Sequence, residues 1–401
     1  MGIFCYFYIV KMARNMKNEI IQLLIMAMQR KIAALPERLR LFTTEYGALP
    51  RTLMLSGARG CGKTTFLLHH SQDKRMLYFS ADNPKLLTES LYDIVSQIFM
   101  LGYEGVIIDE VHFAANWSLH LKALYDDYPN HYIWVSDSSS LLLRLGEGDL
   151  SRRYVPIKMP LMSFREFLYL ETGKKYPVYK LGSPTLPVRP DTEVLNYFQQ
   201  YRDHGTRPFY QEQDYEARYM AIIDKTIDRD IPFFVPSITD NNLRVMMAVI
   251  GSLANASIPR IQVKSLCTDW SIGADKLYQL LFVMEQIDLI RIIRYQNDNK
   301  ARSTGAKMFF SDSCAYHVLH ANLGTERESY IVNCFTQIGY SIFATKDETT
   351  GDFIVKKDEK EFTLEVGGKT KVPKQADYVL RDNTDYPAEN SIPLWLIGMM
   401  W

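Results

Sequence analysis

The residues from Gly57 to Thr64 read Gly-Ala-Arg-Gly-Cys-Gly-Lys-Thr and match the phosphate-loop pattern G-x-x-x-x-G-K-[ST]. An apolar run, residues 52–55, precedes them and predicts a buried strand, and a helix is expected to begin near Lys63. Glycines let successive backbone N–H groups curl around a phosphate, and a helix N-terminus attracts the same anion. A chance glycine-rich turn is the alternative, but the strand, loop and helix context favours a nucleoside triphosphate site.

Each polar residue of this loop has an expected role. Lys63 is expected to reach the β- and γ-phosphates, and Thr64 to offer its hydroxyl to Mg²⁺, a hard cation that prefers oxygen ligands. The residues predicted to bind the nucleotide are Gly57, Ala58, Arg59, Gly60, Cys61, Gly62, Lys63, Thr64 and Thr65.

A second motif follows along the chain, where an apolar run at 106–108 ends in two carboxylates, Asp109 and Glu110. This is the Walker B pattern, in which Asp109 holds Mg²⁺ and Glu110 orients or deprotonates the attacking water. An acidic pair after a strand is also compatible with a plain helix N-terminus. Its pairing with the phosphate loop favours the catalytic interpretation.

Two more runs, residues 75–80 and 131–135, predict further strands of a parallel sheet. Polar residues follow the second run, where a sensor of the γ-phosphate would lie, and Ser136 or Ser138 is the candidate. A serine-rich strand end is equally compatible with a turn or a helix cap.

These motifs occur in an order that resembles a bacterial and archaeal family of AAA+-type P-loop ATPases, and the resemblance extends over nearly the whole chain. Walker motifs occur in many NTPases, whereas the segments 160–167 and 392–398 are much narrower signals. The matching stretches are Gly57 to Thr65, Ile108-Asp109-Glu110-Val111, Ser136 to Leu141, Arg153-Tyr154, Pro160-Leu161-x-Ser163-Phe164-Arg165-Glu166-Phe167 and Ile392-Pro393-Leu394-Trp395-Leu396-Ile397-Gly398.

The resemblance implies further features. Members carry a C-terminal domain of PD-(D/E)XK, restriction-endonuclease-like fold, and Arg152-Arg153 matches the place where the family has a Gly-Arg pair. Arg153 is the preferred candidate to stabilise γ-phosphate charge, in cis or across a subunit boundary, although surface arginines on a solvated loop are the alternative. The chain departs from the family at His112, where relatives usually have Gln.

Composition limits the other possibilities. With 47% apolar residues among 401, the chain can bury packed cores in two or three domains. Its 46 basic and 46 acidic residues give no overall charge, so DNA binding would need a local patch of basic residues.

Five scattered cysteines without a C-x-x-C pair favour a reducing cytoplasm and no zinc site. The apolar residues 1–10 are too short to span a membrane and have no cleavage site, so we expect no targeting segment.

The predicted fold is α/β, with a parallel P-loop (AAA+-like) core and smaller modules behind it. We expect an ATPase core at 18–171, a helical lid at 191–240, a winged helix at 241–315 and a small α/β nuclease-like domain at 329–401.

The winged-helix prediction depends on three helical segments, 242–255, 261–270 and 273–289, followed by strands at 290–296 and 306–311. In such modules the third helix enters the major groove of DNA and the wing contacts the DNA backbone. A winged helix used only for protein packing is the alternative, favoured by the crowded leucines of the third helix. DNA contact would involve Lys276, Tyr278, Gln279, Arg291, Arg294 and Lys300 or Arg302.

The last domain contains the second candidate constellation, which resembles the PD-(D/E)XK hairpin. Asp352 and Glu365 would bind a second metal ion, but the position two residues after the glutamate, usually lysine, is Gly367. Lys369 would have to reach back from a displaced position, so we expect a degenerate nuclease fold. Ordinary solvated charges on an exposed hairpin are the alternative.

Three functional hypotheses follow. The first is a Mg²⁺-dependent ATPase that couples hydrolysis to action on DNA or a protein partner. The second is a slow nucleotide-controlled switch or scaffold whose nuclease-like domain only binds, and the third is an ATP-gated nuclease. ATP is preferred over GTP because the chain has no Asn-Lys-x-Asp motif, and oligomerisation stays open.

Overall fold

The computed structural model describes residues 19–87, 89–138, 150–234, 238–256, 263–298, 307–346, 349–368 and 375–401. The chain divides into two compact units, and the division falls between Met159 and Pro160. No helix among the described residues is long and apolar enough to cross a membrane.

The first unit is a parallel sheet flanked by helices. Strands β1 and β3 are buried along their whole length, as expected for strands covered on both faces. The strands are β1 (Thr52–Ser56), β2 (Met76–Ser80), β3 (Gly105–Asp109), β4 (Tyr132–Asp137) and β5 (Val155–Lys158), and the helices span residues 19–33, Leu41–Glu45, Lys63–His70, Leu91–Met100 and Trp117–Asp127, with a 3₁₀ turn at Val111–Phe113.

The described strands of this sheet lie in the order β2-β3-β4-β1-β5, and every neighbouring pair is parallel. Their carboxyl ends therefore meet at one edge, which is where open parallel sheets bind ligands. The phosphate loop follows β1, the Walker B carboxylates lie at the end of β3, and Ser136 lies near the end of β4. The sheet thus brings the predicted nucleotide residues to a common edge.

The second unit combines helices with a mixed sheet. Its helices are Phe164–Thr172, Thr192–His204, Tyr215–Lys225, Ile231–Phe234, Asp240–Asn255, Val263–Asp269, Ala274–Gln286, Ala315–Val318, Leu323–Gln337 and Leu394–Ile397, with a 3₁₀ turn at Pro208–Gln211 and a π-helical turn at Thr226–Asp230. Its strands are β6 (Ile290–Ile293), β7 (Lys307–Phe310), β8 (Ser341–Ala344), β9 (Phe353–Lys357), β10 (Lys360–Gly367), β11 (Tyr378–Arg381) and β12 (Ser391–Pro393).

The five C-terminal strands lie in the order β12-β11-β10-β9-β8. The pairs β8–β9 and β9–β10 are antiparallel, whereas β10–β11 and β11–β12 are parallel. Asp352 directly precedes β9 and Glu365 lies in β10, so the hairpin predicted from the sequence is present as two paired strands. The nuclease-like identity of this domain stays a prediction.

Three helices and the antiparallel β6–β7 hairpin occupy the segment expected to be a winged helix. The described elements of this segment follow the order predicted from the sequence. Their buried residues share one core with Tyr219, Ile223, Ile227 and Ile231, which belong to the predicted lid. Lid and helical segment therefore pack as neighbours within the second unit, and the winged-helix identity stays a prediction.

The first unit ends at Met159, whereas the sequence placed the end of the core at residue 171. The helix Phe164–Thr172 contributes Phe164, Phe167 and Leu168 to a core that also contains Trp395. This is the physical reason for the difference: the helix buries its apolar face against residues from the far end of the chain.

Candidate functional site

The phosphate loop runs from the end of β1 to the helix that begins at Lys63. Gly60 and Gly62 have φ of 76° and 105°, a backbone region that favours glycine. Gly57 is also sterically required, because a Cβ there would lie 2.7 Å from the main-chain oxygen of Met159. Gly60 and Gly62 thus allow the tight loop, and Gly57 allows its close approach to Met159, the residue after β5.

Lys63 lies over its own loop. Its ammonium group donates hydrogen bonds to the main-chain oxygens of Gly57, at 2.8 Å, and Ala58, at 3.2 Å. The residue is 8% exposed, so the charge is held where the loop curls rather than in solvent. This places a cation beside the backbone N–H groups that the motif predicts to cradle phosphates.

Asp109 is the centre of the site. One carboxylate oxygen, Oδ2, accepts hydrogen bonds from the hydroxyls of Thr64 at 2.6 Å and Tyr78 at 3.0 Å. The other, Oδ1, accepts from Ser136 Oγ at 2.7 Å and from the main-chain N–H of Glu110 at 3.1 Å. The phosphate loop and strands β2, β3 and β4 therefore converge on a single carboxylate.

The donor set fits Mg²⁺. Thr64 Oγ1 and Asp109 Oδ2 are hard oxygen atoms already in contact, and Mg²⁺ needs few protein ligands because it keeps several waters. Burial, and secondarily the charge of Asp109, raises the pKa of Tyr78 well above its ordinary value, so Tyr78 stays a neutral donor. Ser136 and Tyr78 thereby orient the carboxylate of Asp109 through their hydrogen bonds.

Glu110 follows in a left-handed conformation, with φ of 48°, which is uncommon for a residue with a side chain. Its Oε1 lies 3.0 Å from Nη1 of Arg59, and its Oε2 accepts a hydrogen bond from Ser138 Oγ at 3.3 Å. Burial raises the pKa of Glu110, and the nearby Arg59 opposes that shift. A raised pKa brings a carboxylate closer to the range that suits a general base.

His112 lies behind Glu110 and is fully buried. Its Nδ1 is 2.6 Å from Asp137 Oδ2 and 3.7 Å from Glu110 Oε2. Glu110, His112 and Asp137 form the group of three His, Asp or Glu side chains, among the described residues, whose potential metal-ligand atoms lie within 4.8 Å of one another. The sequence identified His112 only as a departure from relatives and did not identify Asp137.

Arg153 lies away from this edge. Its guanidinium makes two hydrogen bonds to Asp126, at 3.1 and 3.0 Å, and its main-chain oxygen accepts one from Thr52 at the start of β1. Thr52 is five residues before Gly57, or about 16 Å along the strand at roughly 3.3 Å per residue. The structure therefore does not bring Arg153 to the loop in cis, because the start of β5 lies at the amino end of the sheet. A role across a subunit boundary stays a prediction.

Asp352 and Glu365, the residues expected to form a second metal site, have contacts that the sequence did not predict. Asp352 accepts a hydrogen bond from the main-chain N–H of Val366 at 2.9 Å, and its Oδ1 lies 3.5 Å from Nζ of Lys307. Lys307 also donates to Glu328 at 2.5 Å. Glu365 is fully buried, and Lys369 lies outside the described residues. The lysine that contacts Asp352 thus comes from β7, which no local spacing could have indicated.

The arginines predicted to touch DNA have partners within the protein. Arg294 forms a two-bond ion pair with Glu285, at 3.1 and 3.0 Å, and Arg291 Nε donates to Asn333 at 3.2 Å. Lys276 donates to Gln279 at 3.3 Å, and Lys300 and Arg302 lie outside the described residues.

Comparisons with known proteins agree with the geometry of the first unit. Residues 50–168 match a family model described as an AAA domain. An uncharacterised protein of Methanocaldococcus jannaschii, MJ1637, is 31% identical over 286 residues, which are 63% of this chain and 59% of that protein. The match thus spans less than two thirds of the relative.

Two solved structures are similar at low identity. The Walker-type ATPase PABY2304 of Pyrococcus abyssi is 13% identical, with 67% of this chain and 91% of that chain covered and a TM-score of 0.40. A single-residue variant of RuvB from Thermotoga maritima is 12% identical, with 74% and 94% covered and a TM-score of 0.33.

The family match covers the phosphate loop, both Walker B carboxylates and the segment that leads into the second unit. The five-stranded parallel sheet agrees with a P-loop core. Residues 50–168 of this chain are therefore similar to an AAA domain.

Proposed function

We propose that this chain is a Mg²⁺-dependent ATPase that couples its nucleotide state to action on DNA or a protein partner. The observation that carries the proposal is the convergence on Asp109 of Thr64 from the phosphate loop and Ser136 from β4. At a phosphate loop, this cluster places the proposed metal ligand, Asp109, beside the groups that surround the phosphates.

The residues divide the chemistry among them. Lys63 and the loop N–H groups bind the β- and γ-phosphates, and Thr64 and Asp109 hold Mg²⁺, which neutralises phosphate charge when bound. Glu110 orients the attacking water and accepts a proton from it, while Ser138 holds one carboxylate oxygen of Glu110 by a hydrogen bond. The water oxygen forms the new bond to the γ-phosphorus as the bond to the β–γ bridging oxygen breaks, so that ADP and phosphate leave.

The test is ATP hydrolysis by purified protein, with Lys63→Ala beside the matched control Lys74→Ala. Lys74 is a lysine of the same unit that pairs with Asp73. We expect Lys63→Ala to lose both tight ATP binding and turnover, whereas Lys74→Ala should equal the wild type. Equal turnover in the wild type and Lys63→Ala would disprove this site.

For the second unit, the contacts favour a binding module without nuclease activity. Lys307 contacts both Glu328 and Asp352, so its ammonium group offsets the charge of Asp352, one of the two carboxylates expected to bind the second metal ion. This supports the alternative of a nucleotide-controlled switch or scaffold with an inactive nuclease-like domain.

Nuclease activity is tested directly with linear duplex DNA, Mg²⁺ or Mn²⁺, and ATP. We expect no cleavage by the wild type or by Asp352→Ala. Cleavage by the wild type that Asp352→Ala abolishes would instead establish the ATP-gated nuclease.

Coupling to DNA is tested by adding duplex DNA to the ATPase assay at a stated salt concentration. Turnover that rises with DNA, and more so at low salt, would identify DNA as the partner. Unchanged turnover would favour a protein partner.

A further inference from the structure

Arg59 is the one residue of the phosphate loop whose side chain pairs with the Walker B glutamate among the described contacts. Its Nη1 lies 3.0 Å from Glu110 Oε1, and the two side chains are 12% and 17% exposed. The motif leaves this position unspecified, so the phosphate-loop pattern itself does not explain an arginine here.

The two oxygens of Glu110 have different partners. Oε1 faces Arg59, whereas Oε2 accepts from Ser138 at 3.3 Å and lies 3.7 Å from His112 Nδ1. The backbone of Glu110 is left-handed, with φ of 48° and ψ of 48°, so its side chain leaves β3 in a direction that the strand does not set. The carboxylate therefore depends on side-chain partners for its orientation.

We propose that Arg59 is a positioning residue, which holds the carboxylate of Glu110 in the orientation needed to receive the proton of the attacking water. This role rests on the ATPase function proposed above. A guanidinium suits it because its donors form a rigid planar fork that matches a carboxylate, whereas an ammonium group acts as a point charge.

The geometry also separates this role from phosphate binding. Lys63 already lies over the loop, in contact with the main-chain oxygens of Gly57 and Ala58, while the guanidinium of Arg59 is directed to β3. Loss of Arg59 should therefore lower kcat and leave ATP affinity nearly unchanged. Small errors in the placement of a catalytic group cost about 100-fold in rate.

The experiment measures kcat, KM and ATP affinity for the wild type, Arg59→Ala, Arg59→Lys and the control Arg75→Ala. Arg75 is an exposed arginine of the same unit, and its side chain donates to the main-chain oxygen of Leu101. We expect kcat of Arg59→Ala to fall roughly 10- to 100-fold, with partial recovery in Arg59→Lys and ATP affinity within about threefold of the wild type. Arg75→Ala should equal the wild type.

A double-mutant cycle with Glu110→Gln tests whether Arg59 acts through Glu110. Single-turnover reactions with radiolabelled ATP, followed for hours, measure the slow residual rates. Arg59→Ala should cause no further loss in the Glu110→Gln background. A loss of equal size in both backgrounds would overturn the proposal, as would a fall in ATP affinity with unchanged kcat, or a loss of binding shared by both Arg59 variants.

The two proposals fail in different ways. If the wild type hydrolyses ATP and Arg59→Ala does so at the same rate, only the role of Arg59 is disproved. A wild type that shows no Mg²⁺-dependent turnover removes the ATPase function and this role with it.

Discussion

At the residue scale, the site is organised by hydrogen bonds that converge on Asp109. Because Ser136 Oγ donates to Asp109 Oδ1 at 2.7 Å, it fixes the orientation of the carboxylate that faces Thr64 with its other oxygen. Partners of this kind orient metal ligands without touching the metal. The sequence suggests Ser136 as a phosphate sensor, which stays a prediction, and its contact with Asp109 adds the hypothesis that it supports the proposed Mg²⁺ ligand.

We therefore predict that Ser136→Ala raises the Mg²⁺ concentration needed for half-maximal turnover by roughly 10- to 100-fold, the usual cost of removing a group that orients a metal ligand. Titration of turnover with Mg²⁺ at saturating ATP measures this. The control is Ser118→Ala, on the helix Trp117–Asp127. An unchanged Mg²⁺ requirement in Ser136→Ala would show that Asp109 is held without Ser136.

Sequence reasoning could name Lys63, Thr64, Asp109 and Glu110 because each belongs to a short contiguous motif. The contact of Arg59 with Glu110 joins residues 51 positions apart, and only the parallel sheet brings them together. Lys307 and Asp352 meet in the same way, from strands that no local pattern connects. These pairings are properties of the fold, which is why they were not predicted.

At the element scale, the segments 160–167 and 392–398, which the sequence analysis singles out, have a structural explanation. Ser163 and Glu166 form a capping box, in which the Ser163 side chain accepts from Glu166 N at 3.1 Å and Glu166 accepts from Ser163 N at 3.2 Å. The helix then buries Phe164 and Phe167.

The C-terminal signal packs against the same helix. Gly398 has ordinary backbone angles, but a Cβ there would lie 2.3 Å from the hydroxyl of Tyr330 and 2.7 Å from Cβ of Phe164. The main-chain oxygen of Gly398 also accepts a hydrogen bond from the N–H of Arg165 at 3.2 Å. The two segments therefore form one packed joint of the second unit.

We predict that Gly398→Ala lowers the free energy of unfolding of the second unit by about 1–3 kcal/mol, the usual cost of overpacking a dense core. Chemical denaturation followed by tryptophan fluorescence and circular dichroism measures it. Gly251 is the matched control, because a Cβ there has open space within the helix Asp240–Asn255. Gly251→Ala should be neutral or stabilising, and equal stability of both variants would contradict the packing account.

Strand and helix positions are largely predictable from apolar period and turn residues, as the helices Asp240–Asn255 and Ala274–Gln286 illustrate. Domain boundaries were not, since the helix Phe164–Thr172 has an apolar face that fits either unit by sequence alone. Its partner, Trp395, lies more than 200 residues later in the sequence. Only the tertiary fold shows which core receives it.

At the scale of the whole molecule, buried charges join distant parts of the second unit. Arg202 bonds Glu326 and also Asp382, at 3.1 Å to each carboxylate oxygen, and Arg327 Nε lies 2.6 Å from Asp382. Burial raises the pKa of Asp382, but Arg202 and Arg327 outweigh that effect, and the net pKa is lower than its ordinary 3.8.

We predict that Asp382→Asn destabilises the protein at pH 7 by about 3 kcal/mol or less, because Arg202 keeps Glu326 as a partner. A carboxyl group whose pKa is lower in the folded than in the unfolded protein stabilises the fold at pH values above its unfolded-state pKa. This stabilisation is lost as the pH falls through the folded-state pKa. The difference from the wild type should therefore be full at neutral pH and shrink below about pH 4.

Denaturation curves at several pH values measure this difference, with exposed Asp385→Asn as the control. A destabilisation that is equal at pH 7 and pH 3 would contradict the ion-pair account.

We propose that the first unit hydrolyses ATP with Mg²⁺ and Glu110. The most direct test compares Mg²⁺-dependent phosphate release by the wild type and Glu110→Gln, together with ATP affinity, in matched buffers. We expect the wild type to turn over ATP only with Mg²⁺, and Glu110→Gln to bind ATP with similar affinity but to lose turnover by roughly 100-fold or more. Unchanged turnover in Glu110→Gln, or none in the wild type at any Mg²⁺ concentration, would contradict this proposal.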